Sequence, residues 1–232
     1  MSARRCAKPP RPRPRGFLTH PPSAGANLRG TPPLVTISAS YGAGGSRIGP
    51  ALAQRLGVEF LDRAIPTRVA DRLHVPLDDA LAHDESLGDA IGRLASSFAL
   101  LPELAGAMVQ AGVLAGEDYR RETEALIREH AQEGAVILGR AGAVILRDAP
   151  GALHIRLDGP QERRIAQAME LEGLSRSDAE RLRRDGDRAR EAYVRHFYGC
   201  DARDPALYHL VIDSTVLAPA TVVDVIAAAV RR

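Results

Sequence analysis

The segment Leu34-Val-Thr-Ile-Ser-Ala-Ser-Tyr-Gly-Ala-Gly-Gly-Ser-Arg-Ile-Gly49 constrains the fold more than any other stretch of the chain. Its apolar, β-branched start predicts a buried strand over 34–38. The spacing of Ile48, Leu52 and Leu56 predicts a helix over 46–56, ended by Gly57. Between the two, Gly42, Gly44 and Gly45 permit left-handed backbone and close approach. A helix beginning near Ser46 aims unpaired N–H groups and the positive end of its dipole into that turn. Such a turn is built to receive an anion, and phosphate is the expected occupant.

The rest of the chain alternates in the same way. Short apolar runs predict strands over 58–61, 135–138, 152–157 and 210–213, and helical spacing predicts helices over 160–172, 177–184 and 219–230. This order implies right-handed crossovers and an α/β fold, a parallel sheet covered by helices on both faces. With 45% hydrophobic residues but only 4% aromatics and no Trp, the core must be built from Ala, Leu, Val and Ile, which suits helices on a parallel sheet. Residues 64–130 show no strong strand. They carry helical runs at 64–73, 77–82, 87–115 (interrupted near Pro102) and 117–132. That is too long for an ordinary crossover, and it reads as an inserted helical substrate region. A polar, Arg-rich segment covers 183–195.

Residues 1–33 show neither period and are read as a disordered basic tail, with Arg4, Arg5, Lys8, Arg11, Arg13 and Arg15 and no acid among the first fifteen. The domain proper is 34–232. The net charge is only +2, so no specific nucleic-acid partner is expected. No apolar run approaches the roughly 18 residues of a membrane span. Cys6 and Cys200 are too few for a disulfide framework, and a cytoplasmic setting is expected. The run 87–115 is apolar enough for a homodimer contact, but burial within its own chain is the simpler expectation.

Laid on the phosphate-loop pattern G-x-x-x-x-G-K-[ST], residues 39–46 keep the second glycine as Gly44 and the magnesium-type hydroxyl as Ser46. The first glycine is replaced by Ala39 and the lysine by Gly45. In this reading the N–H groups of residues 42–46 wrap a nucleotide phosphate and Ser46 holds Mg2+. A bare glycine turn and a dinucleotide-binding fingerprint are the rival readings, the latter opposed by Arg47, which stands where a small residue is needed. Asp62, at a strand end, suits a ribose hydroxyl, a base amine, hydrated Mg2+ or a helix N-cap. Arg68, Arg140, Arg163 and the group Arg183, Arg184, Arg188, Arg190 and Arg195 supply the cations that phosphoryl transfer needs, although single helical arginines are commonly solvated partners of acids. Arg140 stands out, because it directly follows a buried strand and a glycine. His154, inside an apolar strand, reads as a core residue.

Five runs in register carry a resemblance over about 34–231: 36–47, 55–62, Leu138-Gly-Arg-Ala-Gly142, Leu157-Asp-Gly-Pro-Gln-Glu-Arg163 and Val211-Ile-Asp-Ser-Thr215. Their order resembles bacterial cytidylate kinase, and more closely the cytidylate kinase-like family, whose members commonly lack the loop lysine. The resemblance implies an ATP- and Mg2+-dependent phosphotransferase of the nucleoside monophosphate kinase type, with a P-loop sheet, a helical insertion and a lid over 183–200. Tyr41, Gly42, Ala43, Gly44, Gly45, Ser46 and Arg47 would bind the donor. Asp62, Arg68, Arg140 and Arg163 would bind a nucleotide or similar phosphate-bearing acceptor. Arg188 and Arg190 would be lid arginines, with Arg47 or a lid arginine standing in for the lysine. Ala141 replaces an acceptor-recognising aspartate, so cytosine is not implied as the base. The alternative is a pseudokinase that binds nucleotide without turning it over.

Overall fold

The computed structural model describes residues 32–62 and 102–230, with side chains of the long helix described from Asp118 onward. Strand β1 (Leu34–Ala39) leads into helix α1 (Gly45–Leu56) and β2 (Glu59–Leu61). After the undescribed stretch come α2 (Pro102–Glu133), β3 (Ala135–Leu138), the single turn α3 (Gly142–Ile145), β4 (Ala152–Asp158) and α4 (Gln161–Glu172). Helix α5 (Arg176–Tyr198), a 3-10 turn (Pro205–Leu207), β5 (Leu210–Asp213) and α6 (Pro219–Val230) complete the chain.

The five strands lie in the order β2-β3-β1-β4-β5 and every pairing is parallel. Alternation along β1 sends Val35 and Ile37 to one face, against Ile48 and Leu52 of α1 and Val222 and Ile226 of α6. Leu34 faces the other side, in a cluster with Tyr119, Leu126 and Ile127 of α2 and Ile145 and Leu146 at α3. Helices therefore cover both faces, as a parallel sheet requires. Gly57 caps α1 at φ 71°, where the sequence ends it.

Two helices run longer than the sequence reading gave them. α2 is continuous for 32 residues, joining the runs split near 115–117, because Pro102 is its first residue, where no backbone N–H is needed, and Gly116 is tolerated inside it. The predicted helix 177–184 and the Arg-rich segment 183–195 are likewise one helix of 23 residues. The Ser175 hydroxyl caps its start by accepting the Asp178 N–H, and Gly199 ends it at φ 62°. Its inner face, marked by Ala179, Ala189 and Tyr193, is thin because Gly186 occupies one of the inward positions. The tail 1–31, the runs 64–73, 77–82 and 87–101, and Arg68 lie outside the described residues.

His154 is buried on β4, 3% exposed. Its Nδ1 lies 2.8 Å from the Thr36 hydroxyl, its main-chain N–H donates to His209 Nδ1 at 2.9 Å, and the two imidazoles stack at 4.9 Å. Burial, and then the neighbouring His209, lower its pKa from 6.5 to about 4. Between those values the unfolded chain binds more protons than the native one, so stability falls as pH drops through that window, by on the order of 1 kcal/mol per unit. Urea midpoints at pH 7 and pH 5 should differ accordingly, and His154→Gln should flatten the difference.

Candidate functional site

β1 stands where the strand order reverses. The chain leaves it through α1 toward β2 and β3, and β4 lies on its other side. Ligands of open parallel sheets bind beyond the carboxyl ends of the strands at such a point. Here the turn is pinned from several directions: Ser40 N–H donates to Leu157 O at 3.0 Å, Ala43 N–H to Ser40 O at 3.0 Å, and the buried Ser214 hydroxyl to Ala43 O at 2.8 Å. Gly42 and Gly44 take φ 76° and 75°. Gly44 is the N-cap of α1, and no side chain caps the helix. Arg47 and Ile48 donate back to Gly44 O, while the amides of Gly45 and Ser46 have no partner available inside the helix. Main-chain donors and a helix dipole thus meet in a cup.

A single contact accounts for both departures from the phosphate-loop pattern. A Cβ on Gly45 would lie 2.6 Å from the Ala39 Cβ and 3.1 Å from Leu138 Cδ1. Ala39 fills the space that a side-chain-bearing residue at 45 would need, so the two replacements are complementary. Gly45→Lys alone should destabilise the fold by about 1–3 kcal/mol through overpacking. Ala39→Gly together with Gly45→Lys should recover most of that loss in thermal melts.

α5 crosses over this turn and, with β1, β4 and α4, encloses a cavity of about 340 Å³. Arg183, Asp187 and Arg190 line it, spaced i, i+4, i+7 on one helix face. The Asp187 carboxylate accepts the Tyr41 N–H at 2.9 Å and Arg164 Nη1 at 2.9 Å. Arg183 and Arg190 approach it at 3.8 and 3.9 Å. Arg183 Nε and Arg190 Nη1 are buried atoms with no hydrogen-bond acceptor among the described residues. By contrast, every guanidinium nitrogen of Arg156 is engaged, by Asp158, Ser40 Oγ and Ala202 O. Burial alone would raise the Asp158 pKa. The Arg156 guanidinium, with the Gly159 N–H, more than offsets it and holds the carboxyl below its ordinary range. Arg164 is also buried and braces the turn by donating to Tyr41 O at 2.9 Å and Gly159 O at 3.1 Å. Burial and a hydrogen bond to Glu172 raise the Tyr41 phenol pKa, so its hydroxyl stays protonated.

The remaining sequence-derived residues are dispersed. Ser46 and Arg47 are exposed in the first turn of α1. Asp62 and Arg140 meet at the β2–β3 end of the same sheet edge: Arg140 Nη2 donates to Asp62 O at 3.3 Å and lies 3.8 Å from its carboxylate. Arg140 and Ala141 both sit at φ 53°, a strained pair of non-glycine residues of the kind found at functional sites. Arg163 is exposed and pairs with Asp213 at 3.4 Å, away from the cavity lining. Arg188 is exposed on another face of α5 and does not line the cavity, whereas Arg190 does. Sequence reasoning did not single out Arg156, Asp158, Arg164 or Asp187. The heptad-like spacing of 183, 187 and 190 was the available signal for the last of these.

Residues 34–216 match the cytidylate kinase-like family. The chain belongs to that family. An uncharacterized protein from Eubacterium ventriosum shares the fold of this cytidylate kinase-like chain, with a TM-score of 0.61 at 17% identity over 86% of this chain and 98% of that one. A gluconokinase from Sinorhizobium meliloti matches at a TM-score of 0.46, 16% identity, and 87% and 93% coverage. A uronate isomerase from Corynebacterium glutamicum is 30% identical over 112 residues, 48% of this chain. That match spans 22% of the isomerase's length. Family and topology together place the chain among P-loop kinase-like proteins. No described helix is long and apolar enough to cross a membrane. Among the described residues no group of three His, Cys, Asp or Glu could hold a metal ion. Mg2+ in a phosphate loop needs few protein ligands, because water and phosphate oxygens fill most of its positions, and the exposed Ser46 hydroxyl at the cup's rim fits that part.

Proposed function

We propose that this protein transfers the γ-phosphoryl group of ATP to a small nucleotide or other phosphate-bearing acceptor. The supporting observation is the cup of main-chain amides at Gly42, Gly44, Gly45 and Ser46, joined through Tyr41 and Asp187 to a face of α5 whose buried arginine nitrogens have no acceptor among the described residues. The amides and the α1 dipole would grip the donor phosphates, with Ser46 as the protein ligand of Mg2+. When bound, that ion would screen charge between the phosphates. Arg190 and Arg183 would face the transferring group and take up the charge that the absent lysine usually meets. Arg188, on another face of the helix, and the exposed Arg47 are less favourably placed for that task. Asp62 and Arg140 would hold the acceptor at the β2–β3 end; Arg68, outside the described residues, is assigned to the acceptor on the family resemblance alone. α5 would exclude water from the reacting atoms, the role expected of a lid over 183–200.

A nucleotide-binding protein without transfer is the second reading, favoured by Gly45 at the lysine position. Purified protein with Mg-ATP and a panel of nucleoside monophosphates and sugar phosphates separates the two. Acceptor-dependent ADP release supports the kinase. A nucleotide-dependent rise in melting temperature with no ADP above background supports the binder.

A further inference from the structure

Asp187 is placed unlike an ordinary ion-pair partner. Its carboxylate accepts a main-chain N–H of the phosphate turn and a guanidinium N–H of Arg164, both at 2.9 Å, and has Arg183 and Arg190 within 3.9 Å. One amide and one guanidinium are hydrogen-bonded to its two oxygens, and two more guanidinium groups stand just beyond hydrogen-bond distance, an electropositive surround of the kind a phosphoryl group takes from a protein. The surroundings tie this residue to the turn. Gly186 brings α5 against the Tyr41 ring, where a Cβ would stand 3.6 Å from Cδ2. Arg164 bridges both partners by donating to Tyr41 O and to Asp187. Helix α5 is therefore fastened to the turn through one carboxylate.

The geometry points to Asp187 as a built-in anion that occupies a phosphoryl cage and latches α5 onto the turn, so that a dianionic phosphoryl ligand must displace it to bond the Tyr41 N–H between Arg183 and Arg190. This inference rests on the proposed function only in treating the cavity as a phosphoryl site. It needs no turnover. The competition is intramolecular and lowers apparent affinity by the fraction of time the latch is open. Shut about nine-tenths of the time, it weakens binding about tenfold.

Pyrophosphate, titrated calorimetrically into the full chain, is the probe. Asp187→Asn keeps an acceptor for the Tyr41 N–H but removes the charge, and should bind pyrophosphate about tenfold more tightly than wild type. Equal or weaker binding by the folded variant overturns the latch, since it would mean that the carboxylate does not compete or itself serves the ligand. Crystals of the wild-type protein soaked in pyrophosphate give a reading that does not depend on the variant folding. A phosphoryl oxygen on the Tyr41 N–H, with Asp187 turned away, supports the latch. Asp187 still on Tyr41 contradicts it, whether or not pyrophosphate is bound elsewhere. ADP release bears only on the proposed function: a latch that responds in a protein without turnover would leave this inference standing and that reading rejected.

Discussion

Alanine at Gly42 is expected to lower the melting temperature by about 10 °C or more and to abolish nucleotide-dependent stabilisation. The residue sits at φ 76°, and a Cβ there would lie 2.2 Å from the Arg164 carbonyl oxygen and 2.9 Å from its carbon. Left-handed backbone costs alanine about 1–2 kcal/mol. The contact is with main chain in α4, which has no rotamer to change, so helix or turn must move, and the total should reach about 3–5 kcal/mol. Against a typical stability of about 5–15 kcal/mol this is a large fraction. In a domain of this size each kcal/mol is worth about 2–4 °C. Gly44→Ala is the control. It has a similar φ of 75°, but the one close contact of its Cβ would be the Gln167 side-chain amide at 2.9 Å, which can swing aside, so about 1–2 kcal/mol is expected. Circular-dichroism melts of the two variants separate these cases. Equal losses would mean that the turn is not seated on α4.

Arg190→Ala should cut acceptor-dependent turnover by about 10²–10³-fold while barely moving the melting temperature, because removing one donor to the developing transition-state charge typically costs that much. Its side chain is 32% exposed and its ion pair to Asp187 is long, so little folding energy is at stake. Arg188→Ala and Arg47→Ala, which remove exposed cations outside the cavity lining, should each leave turnover within about threefold of wild type. Steady-state ADP release for the three variants tests the assignment. A loss in Arg188→Ala as large as in Arg190→Ala would move the charge-stabilising role to another face of α5.

The phosphate turn was legible because its information is local: a strand, glycines at positions that need positive φ, and a helix start all fall within sixteen residues. The closing helix 219–230 and the strands 135–138 and 210–213 were legible for the same reason, each being a short apolar run with clear ends. α5 was misread as a short helix plus a polar segment. Its inward face carries Ala and Gly where larger apolar residues would have shown the period, and a dense run of charges hides the rest. The site's non-local partners left no such mark. Arg164 and Asp187 are 23 residues apart in the chain, and Tyr41 is 146 from Asp187, so only the folded chain brings them together. The exchange of Ala39 and Gly45 looked like two separate losses, and the contact between them shows one steric choice.

The central claim is that main-chain amides of Gly42, Gly44, Gly45 and Ser46, helped by arginines of α5, hold a triphosphate without a lysine. Titration calorimetry with a non-hydrolysable ATP analogue and Mg2+ on the wild-type chain tests it most directly, with Arg183→Ala/Arg190→Ala as the comparison. The account predicts one site with a dissociation constant of about 1 mM or tighter, in the range in which enzymes commonly hold substrates, weakened at least about tenfold in the double variant. No heat of binding to the wild-type protein, or binding unchanged when both arginines are removed, would contradict it.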